Sequence, residues 1–382
     1  MVAIGGNGVK VGITCYPTYG GSGAVATELG LALAARGHEI HFITYQRPFR
    51  LPVFVPRVAF HEVSMGQYPL FQYPPYDLTL AVKMHEVVIR HDLDLLHVHY
   101  AIPHATSAWL AKQMLAESGR AMPVVTTLHG TDITIVGQDH SYHAITKFSI
   151  KKSDCVTAVS EFLKHETICA FGDENVRVDV VPNFVDPAVY SRDCHDVAFK
   201  RELAGDRPVL MHISNFRPVK RVLDVIGTFA EVRRTMPAVL VMIGDGPDRS
   251  AAEDEAKRLG VAEDVRFLGR IDGVAPLLAI ADVYLLTSDR ESFGLSALEA
   301  MACGVPVVAA GVGGIVEVVE HGVTGSLLPV GDIKAMGAAA NALLTNPAHW
   351  RRQSDAGVAR ARAKFGIDDV VTQYEDIYHS VA

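Results

Sequence analysis

Glu291 and Glu299 stand eight positions apart in the segment ESFGLSALE (291–299), with a Phe-Gly pair between them. Two carboxylates so close in sequence raise the chemistry of sugars, where a pair of acids can act on a glycosidic bond. A retaining hydrolase holds its two carboxyls ~5–5.5 Å apart across one bond. The spacing here points elsewhere. Gly294 is expected to open a helix to about Ala302, which puts Glu299 ~7.5 Å along the axis from Gly294 at ~1.5 Å per residue. Glu291 then precedes the helix and Glu299 lies in its second turn. The N–H groups of Phe293, Gly294 and Leu295 at the helix start suit an anion or sugar hydroxyls. A purely structural reading makes Glu291 a loop charge and Glu299 a surface residue. The apolar neighbours of Glu299 (Leu295, Leu298, Ala300, Met301) count against a solvated face.

A second concentration of chemistry is SNFRPVKR (214–221), with Arg217, Lys220 and Arg221 after an expected strand. A helix start normally disfavours cations, so three of them there ask for an anion. A unit charge pair at ~4 Å is worth about 4 kcal/mol at an effective dielectric of 20, before desolvation. Two such cations could neutralise a diphosphate without a metal. A third segment is the loop CYPTYGGSG (15–23), whose Gly20, Gly21 and Gly23 let the backbone approach a ligand at a helix N-terminus. The bland alternative is a tight strand-to-helix turn. GDGP (244–247) reads as a turn with Asp245 as a helix cap, and LGRI (268–271) ends a strand against which a base could lie. HVHY (97–100) and LHGTD (128–132) place His97, His99 and His129 at strand ends, with His104 near. A zinc site is conceivable there, but strand-end histidines commonly line polar clefts, and the expectation is no metal. His129 and Asp132 read instead as polar groups meeting a substrate.

These segments need elements to hold them. VGITC (11–15), EIHFITY (39–45), RVAFHEV (57–63), LDLLHVHY (93–100), PVVTTLH (123–129), DCVTAVS (154–160) and VRVDVVP (176–182) read as strands. Helices are expected over about 23–36, 77–90, 104–118 and 141–152. Alternating strands and helices imply a parallel sheet covered on both faces. PNFVDP (182–187) breaks the rhythm and is placed as a hinge. The pattern restarts at RPVLMHIS (207–214) and continues through AVLVMIG, DVRFLG, DVYLLTS, PVVAA and GSLLPV. A last helix over about 367–380 carries Ile367, Val370, Val371, Tyr374, Ile377 and Tyr378 at helical spacing; periodicity does not fix which domain it joins. Open parallel sheets bind ligands beyond the carboxyl ends of their strands, so a ligand is expected in a cleft between two such domains.

The 382 residues fit two domains, and 49% hydrophobic residues suffice for two cores. A net charge of −8 argues against a general nucleic-acid binder, though a local basic pocket could still hold an anion. Five scattered cysteines (Cys15, Cys155, Cys169, Cys194, Cys303) form no CxxC and fit a reduced, cytoplasmic protein. No secretory signal is read in MVAIGGNGVK, whose first eight residues are expected to be a loose leader, and no apolar run approaches the ~20 residues of a spanning helix. The glycine loop has GGxG rather than GxGxxG spacing. The second strand ends in Tyr45-Gln46-Arg47 without an acid for a ribose diol, so a nicotinamide dehydrogenase is disfavoured.

The two glutamates with their Phe-Gly, the downstream CGVPVV and GG, and the GDGP turn together resemble the retaining GT-B glycosyltransferases of family 4, over nearly the whole chain. The segments GITCYPTYGGSG, GHEIHFIT, PFRL, QYPPYDLTLA, HYAIPHA, LHGTDIT and SNFRPVKR are similar to one branch of that family, which opens bacillithiol biosynthesis. The resemblance implies an α/β protein of GT-B architecture, with two doubly wound Rossmann-like parallel-sheet domains facing across a cleft. Residues 1–184 would bind the acceptor and 185–365 the nucleotide sugar, with the helix 366–382 a candidate to pack back onto the first. The implied reaction moves N-acetylglucosamine from UDP-GlcNAc to the hydroxyl of L-malate with retention as α. No cofactor, nucleic acid or stable membrane association is implied, and a homodimer stays open.

Residue by residue, the resemblance gives Lys220 the diphosphate, Glu299 the ribose, and Glu291 with the Phe293–Leu295 backbone the sugar and phosphate. Gly21 approaches the diphosphate, Arg270 and Ile271 the base, and His129 the transferred sugar; Gly244 and Asn215 complete the donor set. The broader family usually has an arginine where this chain has Asn215, and Arg217 is expected to supply that charge. Ser22, Arg50, Tyr100, Thr127 and His129 are the acceptor-site candidates. The competing readings are the same donor chemistry on an inositol-phosphate or lipid acceptor, and a nucleotide-binding protein without transfer. The basic cluster Lys147, Lys151 and Lys152 is small for a membrane-bound version.

Overall fold

Strands form where β-branched and aliphatic residues run together between turn residues. In the computed structural model, which describes residues 8–66, 73–172 and 176–382, thirteen such runs are strands. The leader lies outside the described residues apart from Gly8, and so does Gln72 of QYPPYDLTLA. The chain divides into two compact units, residues up to Pro182 with Asp368–Ala382, and Asn183–Ile367.

The first unit holds β1 (Lys10–Thr14), β2 (Glu39–Thr44), β3 (Val58–Glu62), β4 (Leu95–His99), β5 (Val124–Leu128), β6 (Cys155–Ala158) and β7 (Asp179–Val180). They form one parallel sheet in the order β3-β2-β1-β4-β5-β6-β7. Residues in β1, β4 and β5 are almost all buried, as expected when helices cover both faces of a parallel sheet. The second unit holds β8 (Val209–Ile213), β9 (Val239–Ile243), β10 (Val265–Gly269), β11 (Val283–Leu286), β12 (Val307–Ala310) and β13 (Gly325–Leu328), in the order β10-β9-β8-β11-β12-β13. Both orders are doubly wound. In each, the direction of winding reverses between the first strand and the fourth, so a crevice opens at the carboxyl ends of that pair. The expected pair of doubly wound sheets is therefore present.

The chain passes between the units twice, and the two passages pair with each other: Val185 N–H donates to Phe365 O at 2.9 Å and Ile367 N–H to Val185 O at 3.1 Å. The last helix, Ile367–Val381, belongs to the first unit and buries Val370, Val371, Tyr374 and Tyr378. Two of these tie it to the sheet by polar bonds as well. Tyr378 OH lies 2.7 Å from His97 Nδ1, and Tyr374 OH 3.2 Å from Thr127 Oγ1. At its outer face Arg36 reaches Glu375 at 2.8 Å and Asp368 O at 2.7 Å. Two of the helices that the sequence did not mark show how they start. Glu161–Phe171 is capped by Ser160, whose Oγ accepts from Leu163 N–H at 3.0 Å, and Pro347–Phe365 begins after Asn346.

Candidate functional site

In the second unit the crevice lies between β8 and β11, which pair directly. SNFRPVKR leaves β8 and TSDRES leaves β11, so the cationic and acidic segments converge at that point. Lys220 Nζ meets Glu291 Oε1 at 2.6 Å, and Ser288 Oγ donates to the same oxygen at 2.7 Å. Both partners are largely buried, with side-chain exposures of 22% and 10%. Thr287 Oγ1 clamps the carbonyls of Lys220 and Arg221 at 3.1 and 3.0 Å, which fixes the lysine's backbone to the end of β11. The three expected cations are not equivalent. Arg221 pairs with Asp224 at 2.6 Å, whereas Arg217 is exposed and makes no ion pair among the described residues. Arg217 is therefore the cation left available to an incoming anion. Asn215 Oδ1 is buried without a hydrogen-bond partner, so the asparagine brings an unsatisfied acceptor to the same loop.

The loop after β9 packs against this one. A Cβ on Gly244 (φ 122°) would stand 1.8 Å from Ser214 O, and one on Gly246 2.0 Å from Asn215 O. Gly244 N–H is used by Gly269 O at 2.7 Å, so Gly244 serves by letting two loops touch and its N–H is committed to the end of β10. Arg270 (exposed) and Ile271 (half-buried) follow directly.

The helix after β11 runs Leu295–Ala302, with Gly294 at its N-cap at φ 95°. A Cβ there would meet Ile315 Cδ1 at 2.4 Å. The Phe293 ring is buried, edge-on to Phe365 at 5.5 Å, which leaves only its backbone to face a ligand. Glu299 is 5% exposed, and Tyr190 OH donates to its Oε1 at 2.7 Å. The surface-helix reading of Glu299 is thereby set aside. The distance of Tyr190 in sequence, 109 positions, hid it as a partner. Ser288, three residues before Glu291, was also missed, though its place in the same turn was a signal.

In the first unit the crevice lies between β1 and β4, which also pair. The glycine loop leaves β1 and opens the helix Gly21–Ala35. Gly23 is required there, because a Cβ would stand 2.5 Å from Tyr16 O. Tyr100, at the end of β4 with φ 89°, donates its hydroxyl to Ser22 Oγ at 2.8 Å. From the end of β5, His129 Nε2 lies 2.8 Å from His99 Nδ1, and its ring centroid 5.3 Å from that of Tyr100. Ser22, Tyr100 and His129 are thus brought together. Beside them is a cavity of about 390 Å³ lined by Tyr16, Tyr100, Pro103, Thr131, Asp132 and Tyr142. Asp132 anchors it by accepting from Ala101 N–H at 2.9 Å and Gly130 N–H at 3.0 Å.

Two acceptor candidates are placed differently from expectation. Thr127 is fully buried, its hydroxyl held by His97 at 2.8 Å and Thr157 at 2.7 Å as well as by Tyr374. It faces the seam with the last helix and offers nothing to a ligand. Both faces of a central parallel strand are covered, so the strand-end position did not reveal which way it points. Arg50 is ion-paired with Glu28 of the glycine-loop helix, so it arrives already partly neutralised. The PFRL segment nevertheless packs on the glycine loop, with Phe49 N–H bonded to Pro17 O at 3.0 Å.

The histidines here are neutral. Burial pushes His97 and His129 down to about 3 and His104 to about 4, and His99 well below its usual value, with neighbouring histidines adding repulsion for all but His104. Burial raises Asp132 to about 6 against the backbone N–H groups that lower it. His129 is therefore a hydrogen-bonding group, not a cation. For a depressed histidine, the stability contributed is complete above ~pH 6.5 and is lost as pH falls toward the folded value. Asp132, being raised, contributes in the opposite sense, losing its contribution as pH rises through about 6. Four histidines outweigh one carboxyl, so the melting temperature is expected to fall as pH is lowered from ~7 to ~5. Scanning calorimetry at several pH values checks this, and a rise on acidification would contradict the neutral cluster. Among the described residues, side chains close enough to share a metal ion are His41, His61 and His91; the strand-end set of His97, His99, His104 and His129 is not among them. No described helix is long and apolar enough to cross a membrane.

Comparison with known proteins gives two family matches. The model described as Glycosyltransferase Family 4 matches residues 19–189, and that described as Glycosyl transferases group 1 matches residues 195–360. The N-acetyl-alpha-D-glucosaminyl L-malate synthase of Bacillus anthracis is 49% identical over 374 residues, covering 98% of this chain and 97% of that protein. The D-inositol 3-phosphate glycosyltransferase of Kribbella flavida is 29% identical over 378 residues, covering 90% and 87%. Among solved structures, the sucrose-phosphate synthase of Thermosynechococcus elongatus has a TM-score of 0.78 at 23% identity, covering 97% of this chain and 98% of that one. HepE of Anabaena, solved in complex with UDP and glucose, has a TM-score of 0.79 at 21% identity, covering 97% and 99%. At those identities the structural likeness shows the fold alone.

Proposed function

The chain belongs to the glycosyltransferases of family 4, with the two doubly wound units of the GT-B architecture, and we propose that it transfers N-acetylglucosamine from UDP-GlcNAc to the hydroxyl of L-malate with retention as α. The observation that carries the reading is the Lys220–Glu291 pair at the winding reversal of the second sheet, beside the start of the helix Leu295–Ala302. The full-length identity to an N-acetyl-alpha-D-glucosaminyl L-malate synthase supports the choice of substrates.

In this reading the second unit binds the donor. Lys220 and Arg217 neutralise the diphosphate, aided by the N–H groups of Phe293–Leu295. Glu291 holds Lys220 in place and meets the sugar. Glu299, oriented by Tyr190, takes the ribose hydroxyls. Asn215 offers its buried carbonyl to the same loop, and Arg270 with Ile271 lies against the base. The first unit binds malate through Ser22, Tyr100, His129 and the N-terminus of the helix Gly21–Ala35, with Arg50 nearby and Gly21 giving close backbone approach. The bond from the anomeric carbon to the β-phosphate oxygen breaks as the malate oxygen bonds on the same face. The hydroxyl proton passes to the leaving oxygen, whose charge Lys220 and Arg217 stabilise. The five cysteines, all free, fit a reducing cytoplasmic setting.

UDP release from UDP-GlcNAc against a panel of hydroxy acids and inositol phosphate tests the assignment. L-malate is expected to give the highest rate. Release no faster than the acceptor-free control, or a clear preference for inositol phosphate, would overturn it.

A further inference from the structure

At the outer edge of the first sheet, three histidines from three elements converge. His41 is on β2, His61 on the edge strand β3, and His91 ends the helix Tyr76–His91. The register pairs Ile43 with His61, so His41 and His61 lie diagonally on one face of the sheet. Their rings stack at 5.1 Å, and the His91 ring lies 4.6 and 4.9 Å from them. One ligand atom from each lies within 4.8 Å of the others. None of the three takes part in the site described above.

The hydrogen bonds fix the orientation of the middle ring. Glu39 Oε1 lies 2.9 Å from His41 Nε2, and a carboxylate only accepts, so Nε2 carries the proton. His41 Nδ1 then presents its lone pair to His61 Nε2, 2.8 Å away. A carboxylate fixing the far nitrogen of a histidine is the outer-shell arrangement that orients metal ligands. Burial, opposed by Glu39, keeps His41 low, and burial with neighbouring positive charge pushes His61 down to about 4. The third ligand sits at the C-terminus of a sixteen-residue helix, whose end favours a cation.

We propose that His41, His61 and His91 form a binding site for one divalent transition-metal ion of the zinc class, oriented by Glu39 and pinning β3 and the helix end to β2. Bonds of ~2.0–2.1 Å at tetrahedral angles place ligand nitrogens ~3.3 Å apart, so on loading the His61 Nε2 proton, which faces His41 Nδ1, moves to His61 Nδ1 and the contact opens by about half an ångström. Three imidazoles select zinc, cobalt, nickel or copper over magnesium or calcium. Lys10, Lys83 and Arg90 act electrostatically on the cluster and lower its affinity without removing the nitrogen preference.

The test is a titration of the chelator-treated full-length protein with cobalt(II), followed by its visible absorption, and with zinc(II), followed by melting temperature. One equivalent of cobalt is expected to bind with ligand-field bands and no thiolate charge-transfer band, and zinc to raise the melting temperature. His61→Ala and His91→Ala should each weaken binding by at least ~100-fold, and Glu39→Gln by ~10-fold. His165→Ala removes the separate His165–Cys169 contact (3.4 Å) and should change nothing. Circular dichroism of the metal-free variants confirms that they fold, and His61→Gln serves if alanine does not. Binding that survives both histidine variants, follows His165, or shows thiolate absorption would overturn the site, as would no response of the melting temperature.

Discussion

Lys220→Ala is expected to lower kcat/KM for UDP-GlcNAc by about 10³-fold, roughly 4 kcal/mol of transition-state stabilisation. Two losses combine in that figure. The variant removes the most buried cation of the loop after β8, and it leaves Glu291, 10% exposed, as an uncompensated negative charge where the proposed function puts the diphosphate. The arrangement makes a second, sharper demand. Glu291→Gln weakens the bond that positions Lys220 and is expected to reduce kcat about 10–100-fold with a smaller change in donor KM. The double variant should then be less impaired than the product of the two single effects, because the residues act as a unit. Steady-state kinetics on the four proteins decides this. A loss below ~10-fold for Lys220→Ala, or strict additivity, would remove the pair from the mechanism.

Glu299 carries the second large effect. A hydrogen bond to a charged group is worth ~1.5–3 kcal/mol, so Glu299→Ala is expected to raise donor KM by roughly 10–100-fold with little effect on kcat. The same change removes the buried 2.7 Å bond that Tyr190 OH donates to Glu299. That adds ~1–3 kcal/mol of lost stability, or about 2–4 °C in melting temperature per kcal/mol. Tyr190→Phe separates the two contributions. It removes the orienting bond and keeps the carboxylate, so it should lower the melting temperature yet raise KM less than Glu299→Ala does. Isothermal titration with UDP gives the donor affinity directly. A Glu299→Ala variant that loses turnover and keeps donor affinity would reverse the roles given to the two glutamates.

The two sheets were legible because buried parallel strands leave unbroken aliphatic runs, as in VLVMI of β9. The segments of the site were legible for a related reason: glycines, cations and carboxylates in short loops after strands have few structural excuses. What the sequence could not carry was pairing. Lys220 and Glu291 are 71 positions apart and Tyr190 and Glu299 109, so each residue could be singled out but its partner could not. Direction was equally hidden. Thr127 and His129 are two residues apart at the end of one strand, yet the first is sealed against the last helix and the second stands beside the cavity. Charge state was hidden too: His129 is neutral and Arg50 is engaged by Glu28. In the proposed reading a dicarboxylate there would lean on N–H and O–H donors.

The stereochemistry and identity of the product test the central claim most directly. Purified protein is incubated with UDP-GlcNAc and L-malate, and the product is isolated and read by proton NMR. The account predicts N-acetylglucosaminyl malate with the small H1–H2 coupling of an α linkage, formed in step with UDP. A β product, or free N-acetylglucosamine with no malate conjugate, would contradict it.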